Sequence, residues 1–158
     1  MHTIQAGDHT LQAPQVFINT GTRAQTPPIN GLDSVPYLDS ESIFDLETLP
    51  AHLICIGGGY VALELGQAYR RLGSQVTIIE SAPALLSRED DDIAAEVVSI
   101  LKEESVEILT GTKITSVRRD GETIVLTLEN GDQRRGSHVL VAAGRIPNSD
   151  ALGLETVG

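Results

Sequence analysis

The pattern of hydrophobic and polar positions changes near residue 50. From Leu53 onward, short apolar runs alternate with segments whose apolar residues recur every three or four positions. The continuous apolar runs predict buried strands, and the three-to-four spacing predicts helices with one buried face. Before residue 50 the chain is irregular and rich in Pro, apart from the apolar triplet 16–18. That triplet predicts a strand end followed by a long connector.

Strands and helices alternate in the first part of the denser region. The elements are predicted at 53–56 (strand), 61–72 (helix), 76–79 (strand), from about 90 (helix) and 106–109 (strand). Gly73 is expected to end the first helix, and Ser87 with Asp90 forms a capping signature for the second. Alternation of this kind predicts parallel strands joined by right-handed crossovers.

The second part of the denser region predicts a β-meander. Residues 114–119, 124–129 and 133–136 are joined through Asp120-Gly121 and Asn130-Gly131, which favour tight hairpin turns. A buried strand is then expected at 139–142. The predicted fold class is α/β, a Rossmann-like parallel sheet with βαβ units and a β-meander crossover, in three layers.

Composition narrows the function classes. The chain has 158 residues with 11 Lys plus Arg against 22 Asp plus Glu, a formal charge of −11. This balance argues against nucleic acid and anionic membrane partners, because both need a basic surface. The sequence has no apolar run of about 18 residues and its first residues lack a signal-peptide pattern, so we expect a cytoplasmic protein. A single Cys excludes disulfide and CxxC chemistry within this chain.

A glycine-rich turn follows the first buried strand. Gly57, Gly59 and Ala62 fit the pattern G-x-G-x-x-G/A, in which the first Gly permits the turn and the second admits a pyrophosphate close to the backbone. Unpaired N–H groups at the start of the helix favour the same anion. A turn that binds nothing is the alternative. The predicted cofactor-binding positions of this turn are Gly57, Gly58, Gly59, Tyr60 and Val61.

Glu80 ends the second strand, about twenty residues past the glycine turn, where an acidic residue binds the ribose 2′-hydroxyl of NAD. A carboxylate repels a 2′-phosphate. Residues 81–87 supply no Lys or Arg, and the first cation, Arg88, lies further along the chain. NAD is therefore favoured over NADP. The alternatives are a solvated Glu80 and a Rossmann-like domain that binds another adenosyl cofactor, such as S-adenosylmethionine.

These motifs together resemble the NAD-binding domain of the FAD-dependent pyridine nucleotide–disulfide oxidoreductases, the family of dihydrolipoamide dehydrogenase, glutathione reductase and mercuric reductase. The resemblance lies in residues 57–66, 70–80, 87–90 and 141–148. Upstream, 17–23 resembles the Ala-Thr-Gly segment at the edge of the family's FAD domain, with Asn in place of the usual Ala.

The resemblance implies further site residues. Tyr60 is similar to the aromatic residue that covers the nicotinamide pocket, and Glu64 to the carboxylate near the nicotinamide carboxamide. A hydrophobic staple and a solvated helix carboxylate are the respective alternatives. The weaker correspondences are Gly144 beside the nicotinamide, Ile114 beside the adenine, and Thr20, Gly21 and Thr22 at the FAD border.

The resemblance also implies a domain division. Residues 1–50 would be the tail of an FAD domain with a connector, 51–148 the NAD(H)-binding domain, and 149–158 the start of the return to the FAD domain. In a homodimeric parent, NADH would deliver hydride to FAD, and the isolated domain would turn over nothing. A stand-alone nucleotide-sensing module is the alternative function. Residues 62–68 lean towards mercuric reductase and Glu80 towards dihydrolipoamide dehydrogenase, so the terminal electron acceptor stays open.

No residue of this chain is expected to act as a catalyst or to hold a metal. Cys55 lies mid-strand, where Cys behaves as a small buried hydrophobe. The four His residues are scattered without the spacing of metal ligands.

Overall fold

The computed structural model describes residues 1–156, and the chain divides into two compact units. One unit comprises Met1–Arg23 and the residues from Ile146 onward, and the other comprises Ala24–Arg145. The segment 149–158, predicted to start a return to an FAD domain, includes residues 157 and 158, which lie outside the described part.

The smaller unit begins with a hairpin that the sequence analysis missed. Strands β1 (His2–Ala6) and β2 (His9–Ala13) pair antiparallel across Gly7-Asp8, a dipeptide typical of two-residue hairpin turns. The short strand β3 (Thr22–Ala24) follows. The strand predicted at residues 16–18 is wrong, because 15–21 are irregular and Phe17 is 89% exposed. Within the described residues this apolar triplet has no strand partner that would order it.

The larger unit contains a parallel sheet of four strands. In chain order its elements are β4 (His52–Ile56), α1 (Tyr60–Leu72), β5 (Gln75–Ile79), α2 (Asp91–Glu103), β6 (Glu107–Leu109), β7 (Ile114–Asp120), β8 (Thr123–Leu128), β9 (Gln133–Gly136) and β10 (His138–Val141). The sheet order is β10-β4-β5-β6 with every neighbour parallel. A last strand, β11 (Arg145–Pro147), follows, and residues 24–50 include two 3-10 helices, Leu32–Ser34 and Ser42–Asp45.

The two faces of the parallel sheet are covered differently. Along β4, Leu53 and Cys55 pack with the helices, whereas Ile54 and Ile56 pack with the antiparallel meander β7-β8-β9. Successive side chains of a strand point to opposite faces, so one continuous apolar run supplies two cores. The helices, the parallel sheet and the meander are the three layers, and the predicted fold class is confirmed.

The helix ends follow the sequence in one case and depart from it in the other. Gly73 closes α1 with φ 116°, donating its N–H to the carbonyls of Arg70 and Tyr69, as predicted. Helix α2 starts later than the capping signature indicates. Its N-cap is Asp90, whose side chain makes no capping hydrogen bond, so the predicted Ser87 cap is wrong. Glu89 donates its N–H to the Leu86 carbonyl, which forms a turn ahead of the helix.

Within the described residues, neither long helix combines the length and the apolar character that crossing a membrane requires.

Candidate functional site

A cleft of about 570 Å³ opens at the carboxyl ends of β4, β5 and β10. Carboxyl ends of neighbouring parallel strands meet at one sheet edge, which is where open α/β sheets bind ligands. The wall residues come mainly from 57–61 after β4, from 80–89 after β5 and from 141–145 at the end of β10. The remaining part of the wall is Ala24, Gln25 and Ser40.

Gly57 fixes the glycine turn against the neighbouring strands. Its φ is 115°, and a Cβ on it would lie 2.4 Å from the Ala142 carbonyl oxygen. Its N–H donates to the Ile79 carbonyl at 2.9 Å. The turn therefore needs glycine here for two reasons internal to the protein, a left-handed backbone and close contact with β10.

Gly59 has no such internal reason. Its φ and ψ are −83° and 171°, which any residue adopts, and a Cβ on it would have no protein atom within 4 Å. Gly59 is also the N-cap of α1, and it has no side chain to cap the first-turn N–H groups. Open space beside uncapped N–H groups is the arrangement that accepts a phosphate group.

The Glu80 carboxylate reaches back to the glycine turn. One oxygen accepts the Gly58 N–H at 2.5 Å, and the other accepts the Ala82 N–H at 2.7 Å and the Ser81 hydroxyl at 3.1 Å. A carboxylate has about four acceptor positions. Three of them are occupied by the chain itself, which leaves capacity for a hydroxyl donor from a ligand in the cleft.

The loop after β5 forms one wall of the cleft. It also brings in Arg88, which the sequence analysis had placed too far along the chain to act beside Glu80. Leu86 donates its N–H to the Gly58 carbonyl at 2.9 Å, and the Leu85 side chain is buried. This folding of the loop brings Arg88 into the same wall as Glu80. The separation of Arg88 from Glu80 along the sequence therefore did not predict their proximity in the structure. Arg88 is placed by a tertiary hydrogen bond that has no local sequence signal.

Other predicted site residues also line this cleft. Tyr60 does so at the start of α1 with 62% of its surface exposed. Gly144 lines the opposite wall with φ 132°, and its carbonyl accepts the Gln25 N–H at 2.9 Å. Arg145, not singled out from the sequence, adds a second cation to the wall, and its guanidinium donates to the Ser40 hydroxyl at 3.2 Å.

The remaining predicted residues do not line the cleft. Glu64 is exposed on α1, and Ile114 packs against the core on the meander side. Thr20, Gly21 and Thr22 belong to the smaller unit. There, the Thr20 hydroxyl donates to the Asn148 carbonyl at 2.8 Å, and the Asn148 N–H donates to the Gly21 carbonyl.

Burial is the largest cause of two pKa shifts outside the cleft wall, those of Cys55 and His52. Complete burial raises the pKa of the Cys55 thiol to about 12, so the thiol is held neutral. Burial also lowers the pKa of His52, although Glu107 opposes the shift. His52 Nε2 lies 2.8 Å from the Thr77 hydroxyl, which donates to Glu107 at 2.7 Å. This polar chain stands near the amino ends of β4 and β6, away from the cleft edge.

Comparison with known proteins identifies the family. Residues 2–158 match the sequence profile described as pyridine nucleotide-disulphide oxidoreductase. The chain belongs to this family. The resemblance stated from the sequence motifs is therefore confirmed, and the family's own description names a pyridine nucleotide.

Similar proteins include two reductases. The chain is 45% identical to a mercuric reductase from Streptomyces lividans over 155 residues, covering 96% of this chain and 32% of that protein. It is 33% identical to a glutathione reductase from a Nostoc species over 159 residues, covering 99% of this chain and 34% of the relative.

A solved structure agrees with the fold. The chain matches the HOCl-induced flavoprotein disulfide reductase RclA from Escherichia coli, in its Cu(II) complex, with a TM-score of 0.84 and 32% identity. The match covers 98% of this chain and 35% of RclA. The chain thus spans about a third of the length of these family members.

Proposed function

We propose that this chain is the NAD(H)-binding domain of a flavoprotein disulfide reductase-like oxidoreductase, in which it orients NADH for hydride transfer to FAD. Residues 51–148 would form this domain. Residues 1–50 and 149–158 would belong to the edge of an FAD domain and its connections. The full reaction would require the other segments of a longer, homodimeric protein.

The observation that carries the proposal is the open space at Gly59. A protein that used this turn only as a corner could carry Ser, Thr, Asp or Asn at the N-cap, which stabilises a helix by about a few tenths of a kcal/mol relative to Gly. Gly59 instead leaves the cleft open beside uncapped N–H groups. That choice suits a ligand with a phosphate group, so the residues present fit a dinucleotide.

Each wall of the cleft would hold a different part of NADH. The backbone of 57–61 would bind the pyrophosphate, and Glu80 would accept a hydroxyl of the adenosine ribose. Tyr60 and Gly144 would border the nicotinamide. When bound, NADH supplies the hydride and its electrons, while the protein contributes binding and orientation.

Five predicted site residues lie outside the cleft wall and would act only in a wider assembly. Glu64 is exposed beside the cleft wall on α1, and we propose that it contacts the nicotinamide carboxamide only when a neighbouring domain closes the site. Ile114 would approach the adenine end. Thr20, Gly21 and Thr22 would border FAD, and the exposed apolar side chain of Phe17 supports a missing protein neighbour at that segment.

The test is an isothermal titration calorimetry experiment in which NADH, NADPH or S-adenosylmethionine is titrated into the 158-residue chain. We expect NADH to bind tightest and S-adenosylmethionine, which has no pyrophosphate, to bind weakest. Added alone, NADH should not be consumed. Tighter binding of S-adenosylmethionine would overturn the proposal, and tighter binding of NADPH would overturn the role of Glu80 in selecting NAD.

The terminal electron acceptor of the longer protein would be either a disulfide or a metal ion, reduced through the flavin. The mercuric reductase relative supports a metal ion, and the glutathione reductase relative supports a disulfide. The choice is testable by assaying a longer chain that contains this domain against each acceptor with NADH as the donor.

A further inference from the structure

We propose that Glu80 is a positioning residue for the glycine turn, a role separate from any contact with the cofactor ribose. The inference rests on the proposed function for the identity of its ligand, although its first test requires none. The Glu80 carboxylate already accepts backbone N–H groups of the chain itself, without any ligand.

Gly58 is held through both of its backbone polar groups, the N–H and the carbonyl. Its N–H donates to one Glu80 oxygen, and its carbonyl accepts the Leu86 N–H. A Cβ on Gly58 would lie 2.7 Å from the Leu85 side chain and 2.8 Å from Glu80 Cγ, so the two walls of the cleft are in contact at this residue. Glu80 and the loop that follows it therefore form one side of a clamp around the turn.

The backbone of Glu80 is itself fixed. Its N–H donates to the Leu109 carbonyl at 2.8 Å, and its carbonyl accepts the Thr112 N–H at 3.0 Å. A carboxylate on a fixed backbone has a defined position. Through the Gly58 N–H it fixes the peptide group that joins Gly57 to Gly58, one residue before Gly59, beside which the space proposed for a phosphate lies open.

Only a carboxylate can fill this role. Each of the two oxygens accepts a different N–H group, Gly58 on one and Ala82 on the other. A Gln side chain has one acceptor oxygen and one NH2 group, so one of these two N–H groups would face a donor. Leaving such a group unsatisfied weakens the clamp while the size of the side chain is kept.

The first test measures amide hydrogen exchange in the ligand-free chain. In Glu80→Gln, we expect the Gly58 or Ala82 amide to exchange at least about tenfold faster than in wild type. Glu89→Gln is the matched control, because it removes the same charge from the cleft wall and, within the described residues, the Glu89 side chain makes no hydrogen bond or ion pair. It should leave both rates unchanged. Equal rates in wild type and Glu80→Gln would overturn the proposal.

The second test separates positioning from ribose contact. NADH and an analogue lacking both hydroxyls of the adenosine ribose are titrated into wild type, Glu80→Gln and Glu89→Gln. If Glu80 served only the ribose, its substitution would not affect the analogue. We expect Glu80→Gln to weaken the analogue at least about threefold beyond the effect of Glu89→Gln. An unchanged analogue affinity would overturn the positioning role. If neither ligand bound wild type, the proposed function would fail and the exchange result alone would decide the clamp.

Discussion

Gly57 lies against the Ala142 carbonyl so closely that a methyl group on its Cα would stand 2.4 Å from the carbonyl oxygen. The contact joins the end of β4 to the end of β10, the two strands whose carboxyl ends flank the cleft. Because its φ of 115° is also left-handed, glycine at this position is a requirement of the fold rather than of the ligand.

Gly57→Ala is therefore expected to destabilise the whole chain. The left-handed backbone costs about 1–2 kcal/mol for a residue with a Cβ, and the overlap with Ala142 adds to that. We expect the free energy of unfolding to fall by more than about 3 kcal/mol in chemical denaturation. A stability close to that of wild type would mean that the turn relaxes more readily than its contacts indicate.

Gly59→Ala should separate ligand binding from stability. The backbone there is extended and the space around the new methyl group is empty, so the free energy of unfolding should change by no more than about 1 kcal/mol. The same methyl group would occupy the space proposed for the pyrophosphate. We expect NADH affinity to fall at least about tenfold by calorimetry, with the circular dichroism spectrum unchanged. Undiminished affinity would remove this turn from the binding site.

Arg88 should influence the choice between NADH and NADPH. It lines the cleft with Glu80, and within the described residues its side chain has no ion pair or hydrogen bond. An exposed guanidinium can offset part of the repulsion between Glu80 and a 2′-phosphate. We expect Arg88→Gln to weaken NADPH by about 3–10-fold and NADH by less than about twofold, with the difference shrinking at high salt.

The control for this prediction is Arg119→Gln, which removes the same charge on β7, outside the cleft wall. It should leave both affinities unchanged. Equal weakening of NADH and NADPH by Arg88→Gln would instead assign Arg88 to the pyrophosphate that the two cofactors share.

The features that followed from the sequence are those with a local cause. Continuous apolar runs gave the parallel strands, Asp120-Gly121 and Asn130-Gly131 gave the meander, and Gly73 gave the end of α1. The position of Arg88 could not be predicted, because it depends on the hydrogen bond between Leu86 and Gly58. The strand predicted from the apolar triplet at 16–18 is wrong because a strand needs a partner strand, and a local apolar run does not supply one.

His52 should make stability depend on pH. Burial lowers the pKa of its imidazole, so the unfolded chain binds a proton more readily than the folded chain. The stability that neutral His52 contributes to the fold is therefore fully present above the unfolded pKa of about 6.5. It is lost as pH falls through the lower pKa of the folded chain. We expect the free energy of unfolding of wild type to decrease, relative to His52→Gln, between about pH 7 and pH 5.

Other groups titrate in the same range, so the difference between the two proteins is the measured quantity. The neighbours of His52 that could reverse the sign are Glu107, whose charge raises the imidazole pKa, and the Arg135 backbone, which does the same by hydrogen bonding. A difference that grows in favour of wild type as pH falls would show that these two outweigh burial.

Cys55 should be unreactive in the folded chain. Its side chain is completely buried and its pKa of about 12 leaves almost no thiolate at neutral pH, and thiolate is the form that attacks disulfide reagents. With an aromatic disulfide reagent at about pH 8, we expect no colour from the native chain and one equivalent after denaturation. The release in increasing denaturant should follow the unfolding transition measured by circular dichroism. Rapid modification of the native chain would contradict the burial of Cys55 and the tight packing of the helix-side core around it.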